Sequence, residues 1–228
     1  MRDYQAEFID FAIRNEVLQF GRFTLKSGRI SPYFFNSGLF NDGSSLRQLG
    51  TFYMQAIEHA GLQFDMLFGP AYKGIPLVAA VAIAYSGERG RSLPYCFNRK
   101  EEKDHGEGGT VAGAPLHGSV LIIDDVITAG TSVHLSMDLI RRNGARAAAV
   151  VIALDRQERG RDDAEISAID EIAQRYGIPV VPIITLDDLV EFLRDDPAYS
   201  APLEDILNYR KEQGIRRRRN NQTGVPRS

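Results

Sequence analysis

The amino-acid sequence predicts an α/β fold with a central parallel sheet flanked by helices. Between residues 64 and 185, short runs rich in apolar and β-branched residues alternate with segments of helical periodicity. Such alternation is typical of a parallel sheet with right-handed helical crossovers. The apolar runs are nearly continuous, as expected for strands buried on both faces. The 228 residues, 43% hydrophobic and 25% charged, suit one domain with a sizeable core.

Charge, cysteine content and apolar runs argue against several classes of protein. The net charge of −3 gives the chain as a whole no reason to bind nucleic acid or a membrane surface. The single cysteine, Cys96, excludes an internal disulfide bond and a cysteine-based zinc site, and fits a reducing compartment. We find no apolar signal core at the N-terminus and no apolar run long enough to span a membrane. These features predict a cytoplasmic protein.

The N-terminal part of the chain predicts a helix, a hairpin and the first strand–helix–strand unit. Apolar residues recur at helical spacing over residues 3–18. Two short strands flank a turn in which Gly28 can adopt positive φ. The other predicted elements are a helix over 44–60, a strand over 64–68, a helix ending near 86 and a strand over 93–98.

The rest of the chain continues the alternation after one irregular segment. Residues 99–113 are charged, rich in glycine and without periodicity, which predicts a long mobile loop. The elements predicted after it are a strand from 120, a helix over 132–143 that ends before Gly144, a strand over 146–154, a helix over 164–176, a strand over 178–185, and helices over 186–195 and 203–213. Residues 216–228 are polar, which predicts a disordered tail.

The most informative segment is residues 120–133, which read VLIIDDVITAGTSV. A buried strand here leads through a small, hydroxyl-rich turn into a helix, so backbone N–H groups and the helix N-terminus can bind an anion. Gly130 allows close approach of the backbone. Asp124 and Asp125 would repel a phosphate but could accept hydrogen bonds from sugar hydroxyls, which indicates a ribose 5-phosphate. The alternative is a buried strand that ends in a solvated Asp-Asp turn.

This segment resembles the phosphoribosyl diphosphate (PRPP) motif of the type I phosphoribosyltransferases. The resemblance implies their fold, with a small N-terminal hood at roughly 1–40, an α/β core at roughly 60–190, C-terminal helices to 213, and a single domain over 1–215. It also implies a set of PRPP contacts. These are Lys26, Tyr72, Lys73, Arg99, Lys100, Lys103, His105, Asp124, Asp125, Val126, Ile127, Thr128, Ala129, Gly130, Thr131 and Ser132.

The charged segment 99–109, RKEEKDHGEGG, resembles the corresponding loop of the orotate phosphoribosyltransferases. Cations on a loop that closes over a diphosphate gain attraction as water is expelled. For two unit charges 4 Å apart, the attraction is about 4 kcal/mol near a protein surface, where the effective dielectric constant is about 20, and about 1 kcal/mol in water. The alternative is a solvated loop in which acids offset the bases. The resemblance implies that the residues acting in catalysis are Lys73, Lys103, His105, Asp124 and Asp125.

For the acceptor base, the resemblance points to Phe34, Phe35, Thr128 and Arg156. A planar anionic pyrimidine needs an apolar slot and a guanidinium. Neighbouring residues of a strand face opposite ways, so only one of the two phenylalanine rings can stack on the base, and a backbone amide could bind it instead. Phe35 could equally pack in the core. Arg156 could instead pair with Glu158 or Asp155.

The resemblance implies transfer of ribose 5-phosphate from PRPP to orotate, giving orotidine 5′-monophosphate and diphosphate in pyrimidine synthesis. It implies Mg²⁺ held mainly by PRPP, with no direct protein ligand and at most a water-mediated contact to Asp124 or Asp125. It implies a homodimer in which the loop of residues 99–109 is shared across the interface, and neither nucleic acid nor membrane as a partner. Two alternatives remain: a regulator that binds nucleic acid on the same fold, and an enzyme with a purine acceptor.

Overall fold

The computed structural model describes residues 1–25, 28–103, 109–159 and 166–213, with side chains at all of these except 100–103 and 109. The helices are α1 (Asp3–Arg14), α2 (Gly43–His59), α3 (Gly74–Arg89), α4 (Thr131–Arg142), α5 (Ala168–Tyr176), α6 (Leu186–Arg194) and α7 (Ser200–Gln213). The strands are β1 (Leu18–Thr24), β2 (Ile30–Phe35), β3 (Met66–Gly69), β4 (Tyr95–Lys103), β5 (Gly109–Gly113), β6 (Ser119–Ile123), β7 (Arg146–Asp155) and β8 (Val180–Thr185). Short 3₁₀ helices lie at Ser37–Leu39 and Pro197–Tyr199.

The central sheet has six strands in the order β5-β4-β3-β6-β7-β8. Each neighbouring pair from β4 to β8 is parallel, so the predicted parallel sheet is confirmed for these five strands. β5 is antiparallel to β4 and makes the sheet mixed. The α/β class expected from the alternation of strands and helices is therefore confirmed, with an antiparallel strand at one edge.

The prediction of an irregular loop over residues 99–113 was wrong at both of its ends. β4 continues to Lys103, and residues 109–113 form β5, with Asn98 opposite Val111 and Cys96 opposite Gly113. Charged residues in β4 and glycines in β5 hide the alternation by which strands are recognised. Pairing at the sheet edge decides the conformation here, because strand preference depends on the neighbouring strand more than on the residues alone. The middle of the predicted loop, residues 104–108, lies outside the described residues.

The sheet is covered by helices on both faces, so residues that alternate along each strand enter two separate cores. On one face, Leu67, Leu121 and Val151 pack in a cluster with α1, α2, α3 and α6. On the other face, Phe68, Ile122 and other alternating residues pack with α4 and α5. All of β3 and β6 is buried, which explains their continuous apolar sequences. No helix in the described part of the chain is long and apolar enough to cross a membrane.

β1 and β2 form a separate two-stranded antiparallel sheet before the central sheet begins. Gly28, in the turn between these strands, has φ +84°, as its position predicted. The inward face of β2 carries Tyr33 and Phe35, and Phe35 lies 6.4 Å from the ring of Phe8 in α1. The hairpin is therefore anchored to the rest of the molecule by its buried face. The domain boundaries at 40, 60 and 215 stay predictions.

Candidate active site

The predicted site residues lie at neighbouring strand ends of the parallel sheet. Lys73 follows β3, Arg99 lies in β4, Asp125 follows β6 and Arg156 follows β7. These strands are adjacent in the order β4-β3-β6-β7. The carboxyl ends of parallel strands are where open α/β sheets bind ligands. The topology therefore brings the ends of the segments that the sequence singled out to one edge of the sheet.

The turn between β3 and α3 is held tightly against the sheet by two glycines. A Cβ atom on Gly69 would lie 2.2 Å from the carbonyl oxygen of Gly74, and one on Gly74 would lie 2.6 Å from Cδ of Pro70. The amide of Ala71 donates a hydrogen bond of 2.8 Å to Oδ1 of Asn98 in β4. With its backbone fixed in this way, the turn presents Tyr72, 65% exposed, to solvent.

Asp124 and Asp125 are both buried, and each has its own set of donors. Oδ1 of Asp124 accepts from the amide of Asp125 at 2.9 Å, and Oδ2 accepts from the hydroxyl of Ser132 at 2.7 Å. Oδ1 of Asp125 accepts from the amide of Val126 at 2.8 Å. Oδ2 of Asp125 accepts from Nζ of Lys73 and from Oγ of Ser37, each at 2.7 Å.

Burial, and then the neighbouring charge of Asp125, raise the pKa of Asp124 from 3.8 to about 6. The hydroxyl of Ser132, the amide of Asp125 and the charge of Lys73 oppose this rise. The ionised form of Asp124 is therefore disfavoured in the fold as it stands. A ligand that donates hydrogen bonds to this carboxylate, as sugar hydroxyls do, would favour the ionised form.

The turn after the two aspartates ends in the first turn of α4. Thr128, Ala129 and Thr131 are exposed, whereas Ile127 is buried and Val126 is partly buried. Gly130 precedes the helix with φ +71° and has no side chain with which to cap it. The first amides of α4 are thus presented to solvent beside exposed hydroxyl groups, an arrangement suited to an anion.

Lys73 and Asp125 form an ion pair that joins the turn after β3 to the turn after β6, with Nζ and Oδ2 2.7 Å apart. The side chain of Lys73 is 53% exposed, while that of Asp125 is 8% exposed. Lys73 precedes the N-terminus of α3, where a cation is unfavourable unless an anion lies nearby. Asp125 is that anion here, and the exposed lysine can exchange it for a bound ligand.

The two phenylalanines proposed for the base pocket face opposite ways. Phe34 is 37% exposed and stacks on Phe23 with ring centroids 5.5 Å apart. Phe35 is buried, and its ring packs against Phe8. The Phe35 ring is therefore part of the core, as the alternative interpretation of the sequence held, and only its backbone remains to meet a base.

Arg156 is nearly buried and packs under the hairpin. Its guanidinium lies 2.8 Å from Oε1 of Glu158, donates to Oγ of Ser31 at 3.1 Å, and lies 4.4 Å from the ring centroid of Tyr33. The hydroxyl of Tyr33 donates to the same Glu158 carboxylate at 3.2 Å. The pairing with Glu158 that the sequence left open is present. It fixes the guanidinium at the end of β7 and makes it a rigid group rather than a mobile one.

Four of the expected residues cannot be located in full. Lys26 and His105 lie outside the described residues, as do the side chains of Lys100 and Lys103 in β4. Within the described ranges, no three His, Cys, Asp or Glu side chains form a group that could hold a metal ion. The ligand roles of all the expected site residues stay predictions.

Sequence reasoning missed three polar groups that support the site. Ser37 contacts Asp125, Asn98 holds the amide of Ala71, and the buried hydroxyl of Tyr53 donates to the carbonyl of Asp124 at 2.7 Å. Their partners lie 27 to 88 residues away in the sequence. No local motif marks these residues, since only the folded chain brings each pair together.

The parallel sheet and the aspartate–turn–helix site at its carboxyl edge are those of a phosphoribosyltransferase, and residues 39–182 match the model of the phosphoribosyl transferase domain family. The orotate phosphoribosyltransferase of Thiobacillus denitrificans is 59% identical over 215 residues, covering 94% of this chain and 100% of that protein. That of Stutzerimonas stutzeri is 58% identical with the same coverage. The chain therefore belongs to the orotate phosphoribosyltransferases, as the resemblance indicated.

A solved structure agrees with this assignment. The crystal structure of orotate phosphoribosyltransferase from Francisella tularensis matches with a TM-score of 0.82 and 42% sequence identity, covering 91% of this chain and 99% of that chain. The type I phosphoribosyltransferase fold expected from the sequence is confirmed.

Proposed function

We propose that the protein transfers ribose 5-phosphate from PRPP to orotate, giving orotidine 5′-monophosphate and diphosphate for pyrimidine synthesis. The observation that carries this proposal is the pair of buried carboxylates, Asp124 and Asp125, beside an anion-binding turn. The turn of residues 126–132 takes the 5-phosphate, and the carboxylates accept hydrogen bonds from the ribose hydroxyls. A ligand with a phosphate but no sugar would offer the two carboxylates no hydrogen-bond donors, and its negative charge would repel them.

In the proposed reaction, the bond from C1 of the ribose to the diphosphate oxygen breaks and a bond from C1 to a ring nitrogen of orotate forms, while the proton of that nitrogen passes to the leaving diphosphate or to solvent. The bonding electrons leave with the diphosphate, so its negative charge grows and C1 becomes cationic. Lys73 and Arg99 are proposed to stabilise the leaving group, together with Lys100, Lys103 and His105 of the charged segment. Asp124 and Asp125 are proposed to stabilise the cationic sugar. The protein mainly positions the reactants, with no covalent intermediate.

The acceptor base is proposed to lie between the hairpin and the end of β7. The exposed ring of Phe34 offers an apolar surface, and Thr128 is exposed beside the phosphate turn. Arg156 has Glu158 and Ser31 as partners, so its guanidinium is held in one orientation. A fixed guanidinium can recognise a planar anion with little loss of conformational entropy. Phe35 is proposed to contribute its backbone, since its ring is in the core.

We further propose that the reaction requires Mg²⁺, bound mainly through PRPP. The side chains in the described part of the site fit such an ion. Asp124 and Asp125 offer hard oxygen ligands, and no third acid in the described part of the chain joins them to form a cage. Mg²⁺ is usually held in this way, by one or two carboxylates together with substrate phosphates and water. Mg²⁺ bound to the diphosphate would neutralise charge on the leaving group. The two carboxylates would meet it through water or ribose hydroxyls.

A homodimer and a cytoplasmic location complete the proposal. α3 is apolar over most of its surface, and Ile83 on it is 64% exposed, which suits a contact with a second copy of the chain. The charged loop of residues 99–109 is proposed to close over the partner's site. The buried free thiol of Cys96 fits a reducing compartment.

The test is consumption of orotate, followed by its absorbance, with PRPP and Mg²⁺ present and with uracil and hypoxanthine in parallel. We expect loss of orotate only when PRPP and Mg²⁺ are both present. Consumption of hypoxanthine instead of orotate would show that the acceptor is a purine base. If no base reacts while PRPP still raises the melting temperature, the fold binds PRPP without this activity and the proposal is wrong.

A further inference from the structure

Ser37 links the N-terminal hairpin to the ribose site through a single buried hydrogen bond. It opens the 3₁₀ helix Ser37–Leu39 directly after β2, and its hydroxyl donates to Oδ2 of Asp125 at 2.7 Å. The side chain of Asn36 accepts from the amide of Gly38 at 3.2 Å and fixes the start of this turn. Ser37 is only 8% exposed, so its hydroxyl exchanges little with solvent.

The two side-chain donors to Oδ2 of Asp125 differ in what they can do when substrate binds. Lys73 is half exposed and is attracted to the diphosphate, so it can leave the carboxylate. Ser37 is buried and belongs to a turn that its neighbours fix, so it stays. After Lys73 has turned away, Ser37 is the remaining described side-chain donor to this oxygen. Hydrogen bonds to an ionised acceptor are stronger and more directional than those between neutral groups.

We propose that Ser37 is a positioning residue, which holds the Asp125 carboxylate in the orientation that accepts the ribose hydroxyls once Lys73 has moved to the diphosphate. The inference rests on the proposed function and adds a residue to the same site. It also joins the two substrate sites, because the hairpin that presents Phe34 to the base leads directly into the turn that carries Ser37.

The competing interpretation is that the Ser37 hydroxyl only attaches the hairpin to the core. The two interpretations differ in which ligand is affected. A positioning role lowers affinity for ligands with ribose hydroxyls and spares those with phosphate alone. A purely structural role lowers stability and affects every ligand of the site alike.

The experiment compares wild type, Ser37→Ala and Ser119→Ala by calorimetric titration with PRPP and Mg²⁺, since the diphosphate of PRPP draws Lys73 away from Asp125, and with inorganic phosphate. Ser119 is a serine of similar burial at the far end of β6. For Ser37→Ala we expect about a tenfold loss of affinity for PRPP, since a bond to a charged group is commonly worth at least that factor. Affinity for inorganic phosphate should change by less than about twofold, as in Ser119→Ala.

Steady-state kinetics give a second readout on the same proteins. Ser37→Ala should raise KM for PRPP about tenfold, with kcat and KM for orotate within about twofold of wild type. Ser37→Thr, which restores the hydroxyl, should recover most of the PRPP affinity. Equal losses for PRPP and inorganic phosphate, or no loss at all in an active protein, would overturn the inference. A wild-type protein that neither consumes orotate nor binds PRPP would instead overturn the proposed function.

Discussion

Adjacent residues at the end of β6 take different roles because they face different partners. Asp124 is oriented toward the start of α4, where Ser132 donates to it, and Asp125 is oriented toward Lys73 and Ser37. Asp124 has no basic side chain in direct contact among the described residues, and burial dominates its titration. Its raised pKa means that the ligand-free fold is weakened when this group ionises.

The first prediction concerns Asp124→Asn, which keeps the shape of the side chain and removes its charge. The folded pKa of about 6 lies above the ordinary 3.8, so ionisation costs stability as pH rises from about 4 through 6. A pKa difference of about two corresponds to about 3 kcal/mol as an upper bound. We expect the ligand-free variant to be more stable than wild type by about 1–3 kcal/mol near pH 8 and nearly equal near pH 4.

Urea unfolding of ligand-free protein at several pH values measures this difference. Asp138→Asn is the control, because Asp138 is a half-exposed carboxyl on α4 that pairs with Arg141. That variant should show no gain that grows with pH. A gain for Asp124→Asn that is as large at pH 4 as at pH 8 would contradict the role given to burial of the charge.

At the scale of elements, the site depends on how closely α3 approaches the end of β3. Gly69 ends the strand and Gly74 begins the helix, and each leaves space for the backbone of the other. This contact determines where Tyr72 and Lys73 leave the turn. The sequence showed a glycine-containing turn with a lysine in it, but the distance between the two backbones is a property of the packed structure.

The second prediction compares Gly69→Ala, at this contact, with Gly87→Ala, near the other end of α3. In Gly69→Ala the new methyl group would lie 2.2 Å from a backbone oxygen, so we expect a loss of about 3 kcal/mol or more, or failure to fold. In Gly87→Ala the methyl group meets nothing within 4 Å inside α3, so stability should rise by about 0.5–1 kcal/mol. Thermal unfolding measures both. A Gly69→Ala protein as stable as wild type would show that the turn can move without cost.

At the scale of the whole molecule, the proposed site draws on the hairpin, on four strands of the sheet and on a charged segment that we propose is shared between two subunits. β2 brings Ser31 to Arg156, and the turn after β2 brings Ser37 to Asp125. A second copy of the chain is proposed to add the loop of residues 99–109. A site assembled from two subunits can be tested by placing one inactivating substitution in each subunit and then mixing the two variants.

The third prediction is that inactive Lys103→Ala subunits and inactive Asp125→Asn subunits regain activity when mixed. If Lys103 acts on the partner's site, each mixed dimer contains one intact site, so an equal mixture should recover about a quarter of wild-type activity. The measurement is orotate consumption after subunit exchange has been shown by mass spectrometry of differently tagged chains. No recovery after complete exchange would place Lys103 in its own subunit's site.

The sequence by itself determined the α/β class, the order of the elements apart from β5, and the segments that carry the site. Alternating apolar runs and helical periodicity are local properties, and the segment of residues 120–133 carries its own signal for a sugar phosphate. The motif order was enough to identify the family, which the relatives confirm.

Only the tertiary structure decided which surfaces meet. It placed β5 at the sheet edge, turned the Phe35 ring into the core, brought Arg156 to Ser31 and brought Ser37 to Asp125 across 88 positions of the chain. Each of these depends on contacts between residues far apart in sequence, whose energies arise only after the chain has packed. Local patterns therefore located the chemistry, and packing selected the partners that hold it in place.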